Sequence, residues 1–570
     1  MLNTSNDQRK LLPNFDQLFA TTAQAPGGVA RLRELILTLA VQGKLVAQDA
    51  NDEPASELLK KIRAEKERLI AEGKIKKDKP LAAITEDEKS FELPAGWEWV
   101  RIPEITYGLG QGEPSKSFTY IDVASVNNLK GVINSDVKIL DASEAPSRAR
   151  KNVKVGTVIY STVRPYLKNI AIIENNFSPE PIASTAFAVM HPFSGVASKY
   201  LLHYMRSQIF TEYVSGKAIG IAYPAINDAN FFQGVVPLPP EQEQSRIVAR
   251  VEELMRLCDA VEEKGQLEHT QHQQLLQAML DSLTQTTKVA ELAHHWQRLA
   301  QHFDLLIDRP EAVDALEQTI LQLAVRGLLV EQDANDEPAS ELLKKIRTEK
   351  DRLIAEGKIK RDKPLPTITD EEKSFELPEG WEWVRLQSAF DVRDGTHDTP
   401  KYQSVGFPLV TSKNIYGGRL DLSDVKLISK EDHQKISERS RVERNDILFA
   451  MIGSIGNPVI VNTDIEFSVK NVALFKYYSA SLSCPEYLLM VLQTESEGMR
   501  ARAAGGVQSF VSLGQLRANV VPLPPLAEQS RIVARVTNLR ALCQQLRDKL
   551  SHARCAQTQL AQAWVEQAAV

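Results

Sequence analysis

Arginines, lysines and small polar residues gather in two stretches of this 570-residue chain in a way that suits nucleic acid. The first stretch has Ser147-Arg148-Ala149-Arg150-Lys151, then Arg164-Pro165-Tyr166-Leu167-Lys168. The second has Arg439-Ser440-Arg441 and Arg444, with polar turns at Thr396-His397-Asp398-Thr399-Pro400-Lys401-Tyr402 and Gly453-Ser454-Ile455-Gly456-Asn457. Arginine reads guanine bidentately, asparagine and glutamine read adenine, and serine, threonine and lysine hold phosphates. On the same grounds Lys116, Ser125, Asn127, Tyr223, Ser412, Lys413, Asn414 and Gln508 join the candidate DNA contacts. Any one of them alone is an ordinary solvated surface group. Their gathering into corresponding regions of two segments favours a DNA face.

Catalytic signatures are missing from the sequence. There is no G-x-x-x-x-G-K-[ST] phosphate loop and no strand-linked G-x-G-x-x-G. Gly108-Leu109-Gly110-Gln111-Gly112 has the wrong spacing and reads as a turn, and Asn457-Pro458-Val459-Ile460 is not an Asn-Pro-Pro-aromatic motif. Asp87-Glu88-Lys89 lies in a charged run, where chance explains it. His294, His295 and His302, and the His397-Asp398 pair, lack metal-ligand clustering. No catalysis and no bound cofactor is expected of this chain.

The net charge of −6 argues against a polyanion at first. Its distribution softens the objection: residues 102–236 hold 12 basic and 10 acidic groups, residues 386–521 hold 15 of each, and the rest is net acidic. Binding to DNA rests largely on cations that displace counterions, so a lone chain should bind weakly and need a basic partner. The four cysteines (Cys258, Cys484, Cys543, Cys555) show no paired spacing, the N-terminus does not read as a signal peptide, and no long uncharged apolar run occurs. A cytoplasmic protein without membrane contact is expected.

The elements that must position these side chains come in duplicate. Residues 39–101 and 323–385 agree at 52 of 63 positions, and both close on a Phe-Glu-Leu-Pro phrase followed by Gly96-Trp97-Glu98-Trp99 or Gly380-Trp381-Glu382-Trp383. Pro237-Leu238-Pro239-Pro240 returns as Pro522-Leu523-Pro524-Pro525, each followed by Glu-Gln-Ser-Arg-Ile-Val-Ala-Arg-Val. Between these constant phrases lie inserts of 135 and 136 residues that hardly agree. Such a period is far longer than the ~20–50 residues of a solenoid unit. The chain is two tandem copies of one module, expected to be arranged about a pseudo-twofold axis.

Asp52-Glu53-Pro54 opens a helix that Gly73 stops, with a narrow stripe of Leu58, Leu59, Ile62, Leu69 and Ile70. It reads as a solvated amphipathic helix, or as a docking surface, and has a near twin at 336–357. After the Pro-Leu-Pro-Pro phrases, Ile247, Val251, Leu254, Cys258 and Val261 step by 4 and 3. So do Ile532, Val536, Leu539, Cys543, Leu546 and Leu550, with Ala553, Leu560 and Trp564 later in register. That is a heptad seam, and it predicts two long helices packed antiparallel as a spacer. The first is expected from about Ser245 to about Leu283, with Gly265 a weak point. The inserts read as mixed α/β, with Ser125-Val126-Asn127 placed against Ser412-Lys413-Asn414, and Val153–Val158 against Val442–Ile447.

The Glu-Leu-Pro-x-Gly-Trp-x-Trp lead-in to each insert, the Pro-Leu-Pro-Pro exit and the two variable segments resemble the specificity subunit of type I restriction–modification enzymes. Asp394-Gly395-Thr396-His397-Asp398-Thr399-Pro400-Lys401 and Ser147-Arg148-Ala149-Arg150 are phrases often seen in such recognition domains. The resemblance covers essentially the whole chain. It implies a non-catalytic DNA-reading subunit, with AdoMet, ATP and magnesium on partner subunits: DNA methyltransferase (modification) chains and the restriction/translocase chains. The duplicated framework adds an expectation of two identical methyltransferase chains.

The expected fold class is α+β: two mixed α/β target-recognition domains bridged by two long antiparallel coiled-coil helices, as a pseudo-twofold tandem duplication. The boundaries are an N-terminal helical region 1–101, recognition domain 102–236, central framework 237–385, recognition domain 386–521 and C-terminal helix 522–570. Two such domains on a spacer predict half-sites roughly one turn apart, ~34–36 Å or ~10–10.5 base pairs. Because the inserts differ, the target should be asymmetric and bipartite. The rivals are an assembly scaffold that never touches DNA and a single-chain methyltransferase or nuclease.

Overall fold

A two-stranded neck closes each insert at its base. Glu98–Arg101 pairs antiparallel with Val235–Leu238, and Glu382–Arg385 pairs in the same register with Val520–Leu523. The constant phrases on either side of each insert are therefore hydrogen-bonded to one another, which is why they can stay the same while 135 residues between them change. The computed structural model describes residues 15–77, 80–286, 289–503 and 510–569. These form two units, 1–268 with 553–570, and 269–552, so each unit holds one insert, one copy of the framework and part of each long helix.

The neck is locked from both sides by polar contacts that repeat in the two units. Trp97 Nε1 donates to Glu243 Oε2 at 2.9 Å and Gln48 donates to Glu243 Oε1 at 2.8 Å. Trp381 and Gln332 meet Glu528 at 2.9 and 3.2 Å in the same way. Burial raises the pKa of both glutamates, and these donors offset part of the cost of burying them. Arg101 forks onto Glu88 at 2.6 and 2.8 Å and also donates to the carbonyls of Ala82, Ala83 and Gln233. Arg385 repeats this with Glu372 and the carbonyls of Pro366, Thr367 and Ala518. Asp52 and Asp336 receive Arg246 and Arg531 at 2.5 and 2.6 Å.

The amphipathic framework helices run Ala55–Ala71 and Ala339–Ala355. Leu58, Leu59, Ile62 and Leu69 form the buried stripe of the first, and Gly73 ends it at φ +68°, as the sequence pattern requires.

The two long helices span Glu241–Gln285 and Leu526–Ala569. The first passes through Gly265 unbroken. In the first unit its Ile247, Val251, Leu254 and Cys258 join Leu32, Leu35, Ile36 and Leu39 of helix Gly28–Val41 in one core, with Val565 and Ala568 packed against it. In the second unit Ile532, Val536 and Cys543 are buried in the core. The seam differs from the heptad expectation near its end: Leu560 is 47% exposed and Ala561 1%. A straight helix has 3.6 residues per turn, so a strict 3.5-residue repeat drifts off the buried face over several turns.

The inserts share a topology. In the first, a six-stranded sheet is ordered Thr106–Tyr107, Phe187–Pro192, Val158–Ser161, Ile170–Ile172, Val132–Ile133, Val126–Asn127. Beside it stands a four-stranded sheet ordered Lys138–Leu140, Phe118–Ile121, Pro181–Ser184, Ala149–Asn152. The second insert has Asp391–Asp394, Val472–Lys476, Ile447–Ala450, Gly456–Ile460, and a smaller sheet of Lys426–Ile428, Phe407–Val410, Ser468–Val469. In both, a parallel pair marks the smaller sheet (119–121 with 181–183, 409–410 with 468–469). The second insert carries helix Lys430–Ser440 where the first has only a short turn at Ala142–Glu144.

One sequence anchor holds and one shifts. Lys154 N meets Thr157 Oγ1 at 3.1 Å just before strand Val158–Ser161, as Glu443 N meets Asp446 Oδ2 at 2.7 Å just before Ile447–Ala450. The other anchor is displaced by two residues. The short turns Val123–Ser125 and Ser412–Asn414 each follow the parallel strand, so Ser125 corresponds to Asn414 and not to Ser412.

Candidate nucleic-acid interface

In the first insert the structure brings Arg164, Tyr166, Lys168 and Tyr223 together on two loops that hold each other. Strand Val158–Ser161 runs into a turn at Pro165–Leu167, flanked by Arg164 at φ +48° and Lys168 at φ +52°. Left-handed backbone is costly for residues with a Cβ, and buried contacts fix it here. Tyr160 OH donates to Pro165 O at 3.1 Å, and Arg164 N donates to Pro224 O at 2.7 Å. The second loop closes on itself through reciprocal Ile219 and Ala225 bonds of 2.9 and 3.0 Å. The Arg164 guanidinium lies 4.6 Å from the centre of the Tyr223 ring. Tyr166 and Tyr223 are exposed, and burial lowers the Lys168 pKa.

The arginine phrase before strand Ala149–Asn152 divides. Arg148 is exposed and makes no ion pair among the described residues. Arg150 pairs with Glu113 at 2.9 Å. Lys151 is 6% exposed, and its ammonium donates to Phe187 O at 2.6 Å and to Asp228 at 2.8 Å. A charge so buried needs its partners, so Lys151 serves the fold. Lys116 is exposed. Ser125 Oγ is taken up by Asp122 at 3.0 Å, and Asn127 Oδ1 by Lys130 N at 3.1 Å. The glycine turn lies along the edge strand, with Gly112 N on Arg150 O at 2.9 Å.

In the second insert the predicted polar turn is built around a buried carboxylate. Asp394, 6% exposed at the side chain, accepts from Arg439 on one oxygen and sits 2.9 Å from His397 Nε2 on the other. His397 Nδ1 faces Asn471 Oδ1 at 3.1 Å. Thr396 is tied by its backbone to Val469. Gly395 is required there, since a Cβ would lie 2.1 Å from Val469 O. Lys401, Lys413 and Arg441 are exposed, and Arg444 meets Asp464 at 3.1 Å. Arg441 also lines a cleft of 670 Å³ with Lys430, His433 and Phe467.

Asn414 is buried and caps Thr411 while donating to Asp424 O at 3.0 Å. Ser412 begins the same turn. Ser454 lies in the turn before strand Gly456–Ile460, and Asn457, within that strand, reaches back with Nδ2 to Ser454 O at 3.3 Å. The bridge Ile452–Phe510 there matches Val163–Ala225 of the first insert. Gln508 lies outside the described residues.

Two groups of residues have roles that the sequence reading did not assign. Asp394, quoted there only as the first residue of a family phrase, positions the predicted Arg439 and His397, and Asn471 meets the His397 ring, where a lone amide carries no pattern. Leu129, Ile219 and Ile221 project from the first insert into solvent, although apolar residues in a row suggest a strand. Among the described residues no three His, Cys, Asp or Glu side chains gather as a metal site would require. Among them, too, no helix is long and apolar enough to cross a membrane.

A family model described as the type I restriction modification DNA specificity domain matches residues 378–552. The chain is 39% identical over 569 residues to the type I restriction enzyme EcoAI specificity subunit of Escherichia coli, covering 95% of this chain and 94% of that one. This chain belongs to the type I restriction enzyme specificity subunits. The EcoEI specificity subunit of Escherichia coli is 35% identical over 567 residues, with the same 95% and 94% coverage. A solved chain from work on complex assembly and conformational transition of the type I R–M system shares the fold. Its TM-score is 0.51 at 23% identity, over 84% of this chain and 99% of that one. As a specificity subunit the chain is a DNA-recognition component and not itself the enzyme.

Proposed function

We propose that this specificity subunit reads an asymmetric, bipartite DNA target, one half-site per insert, and brings methyltransferase and endonuclease subunits to it. The observation that carries the reading is the pair of inserts with one topology and unlike surfaces, each closed on the same neck by the same side chains. Shared topology and neck give both inserts the same mounting, and unlike loops give them different preferences. In this reading the two long helices lie antiparallel as a spacer about a pseudo-twofold axis, setting the half-sites roughly one turn of duplex apart.

Two methyltransferase chains would seat on the two framework copies, with restriction/translocase chains joining them. AdoMet, ATP and magnesium belong to those partners, and the solved relative comes from work on an assembled type I system. Arg150, Lys151, Arg439 and Arg444 pair with carboxylates of this chain. Fewer cations are thus left for phosphates, so the partners must supply much of the sequence-independent affinity.

Photo-crosslinkers placed at Arg148 and at Arg441 in the assembled complex test direct reading. Adducts with target duplex are expected from both positions. A complex that still methylates its target but yields no adduct from either position would leave an assembly scaffold.

A further inference from the structure

Three loops of the first insert meet at one end: 127–131, 162–169 and 217–226. Asn128 Nδ2 donates to Leu167 O at 3.3 Å, and the reciprocal Ile219–Ala225 bonds and Arg164 N to Pro224 O fix the third loop against the second. The tip of this assembly is apolar. Ile219, Ile221 and Tyr223 are 74%, 105% and 70% exposed, and Leu129 beside Asn128 is exposed as well. Glycine is required within the loop: Gly220 sits at φ +109°, where a Cβ would lie 3.0 Å from Tyr223 O. An apolar tip presented to water by a closed, hydrogen-bonded loop marks an interaction site.

The surrounding charge says what kind. The three loops contain Lys130, Arg164, Lys168 and Lys217 and not one aspartate or glutamate. Elsewhere in the same insert, Arg150 and Lys151 are neutralised by carboxylates of the chain itself. Arg164 lies over an aromatic ring instead and makes no ion pair among the described residues. Lys130 and Lys217 make none among them either, and an exposed apolar tip on loops that carry such cations is complementary to a duplex, with phosphates outside and base edges within. The apolar feature of a base edge in the major groove is the thymine C5 methyl. Isoleucine has no π face to stack on a base, but its branched side chain packs on a methyl.

We propose that Ile219 and Ile221 read thymine methyl groups in the half-site bound by the first insert. This rests on the DNA-reading function proposed above and adds specificity-determining residues to it.

The test uses the assembled complex and the target duplex mapped from methylated adenines in cells. Each thymine of the target is replaced in turn by deoxyuridine, which lacks only the methyl. At one or more positions of the first half-site the wild-type complex should lose about fourfold in affinity, the scale of burying one methyl-sized group. Ile221→Ala or Ile219→Ala should bind the thymine and deoxyuridine duplexes alike at such a position. Replacements in the second half-site should affect wild type and variants equally.

The idea is overturned by a first half-site without thymine, by wild-type indifference to every replacement, or by a loss that persists in both variants. A variant that weakens binding without regard to the methyls, with loss of 2-aminopurine unstacking in the duplex, overturns it in favour of a wedge between bases. Ile221 is fully exposed, so unchanged thermal unfolding of I221A separates lost contact from lost fold. Target-specific binding that ignores the methyls defeats the tip alone; absence of any target preference in the wild-type complex defeats DNA reading itself.

Discussion

His191 holds in the first insert the place that Lys476 holds in the second. Each follows the residue paired with the first position of the central strand, Met190 with Val158 and Phe475 with Ile447. The first insert fills this place with a neutral hydrogen bond, Thr157 Oγ1 to His191 Nδ1 at 3.0 Å. The second uses an ion pair, Lys476 to Asp446 at 2.6 Å. Burial pushes the His191 pKa down to about 4, with Lys154 adding to the effect, and burial takes His203 to about 4 as well. Since the unfolded chain takes up these protons first, the stability is fully present above the ordinary histidine pKa of ~6.5. It declines as pH falls from there toward 4. Thermal unfolding of the full chain should therefore drop between pH 7 and pH 5, and His191→Gln should flatten part of that drop. Equal slopes for the two proteins would refute the assignment. At this scale sequence order carries chemical type but not direction: Ser125, Lys151 and Asn414 turn inward to cap or pair.

The neck is the element on which the inserts depend. Arg101 is buried, and its guanidinium links the incoming strand, the end of helix Asp228–Phe232 just before the exit strand through Gln233 O, and the 82–88 segment through Glu88. The arginine holds the Glu88 carboxyl down at about 2, and Arg385 does the same for Glu372. This contribution is present above the usual glutamate pKa and is lost as pH falls toward 2. Arg101→Ala should cost about 2–3 kcal/mol, because it leaves buried carbonyls and a carboxylate without their donor. Urea unfolding should show this as a lower midpoint, and Arg101→Lys should recover only part of it, since an ammonium lacks the fork. A midpoint unchanged in R101A would show that the strands hold the neck without it. The repeat exposed this element because identical residues recur at both necks. The long helices were equally legible from their period, apart from the last turns, where Ala561 replaces Leu560 on the buried face.

At the scale of the whole molecule, one mounting carries two unlike surfaces, and the proposed reading of one half-site per insert predicts modular exchange. Replacing residues 386–521 with another insert of the family should change one half of the methylated target and leave the other intact. Sequencing of methylated adenines in cells checks this directly. A change in both halves would mean that the inserts read DNA jointly. The neck pairing favours independence, because each insert begins and ends on adjacent strands of its own framework copy.

The sequence alone determined the repeated framework phrases, the framework helices and the family, because these rest on repetition and periodicity, which are properties of order along the chain. Only the tertiary structure decided which cations keep their charge for a partner and which are consumed by Glu113, Asp228, Asp394 or Asp464. It alone brought the loops around residues 129, 164 and 221 to one end of the first insert. Those acids lie 20 to 77 residues from the cations they neutralise. Pairing over such distances depends on how the sheets fold the chain back on itself, and local pattern carries no record of that.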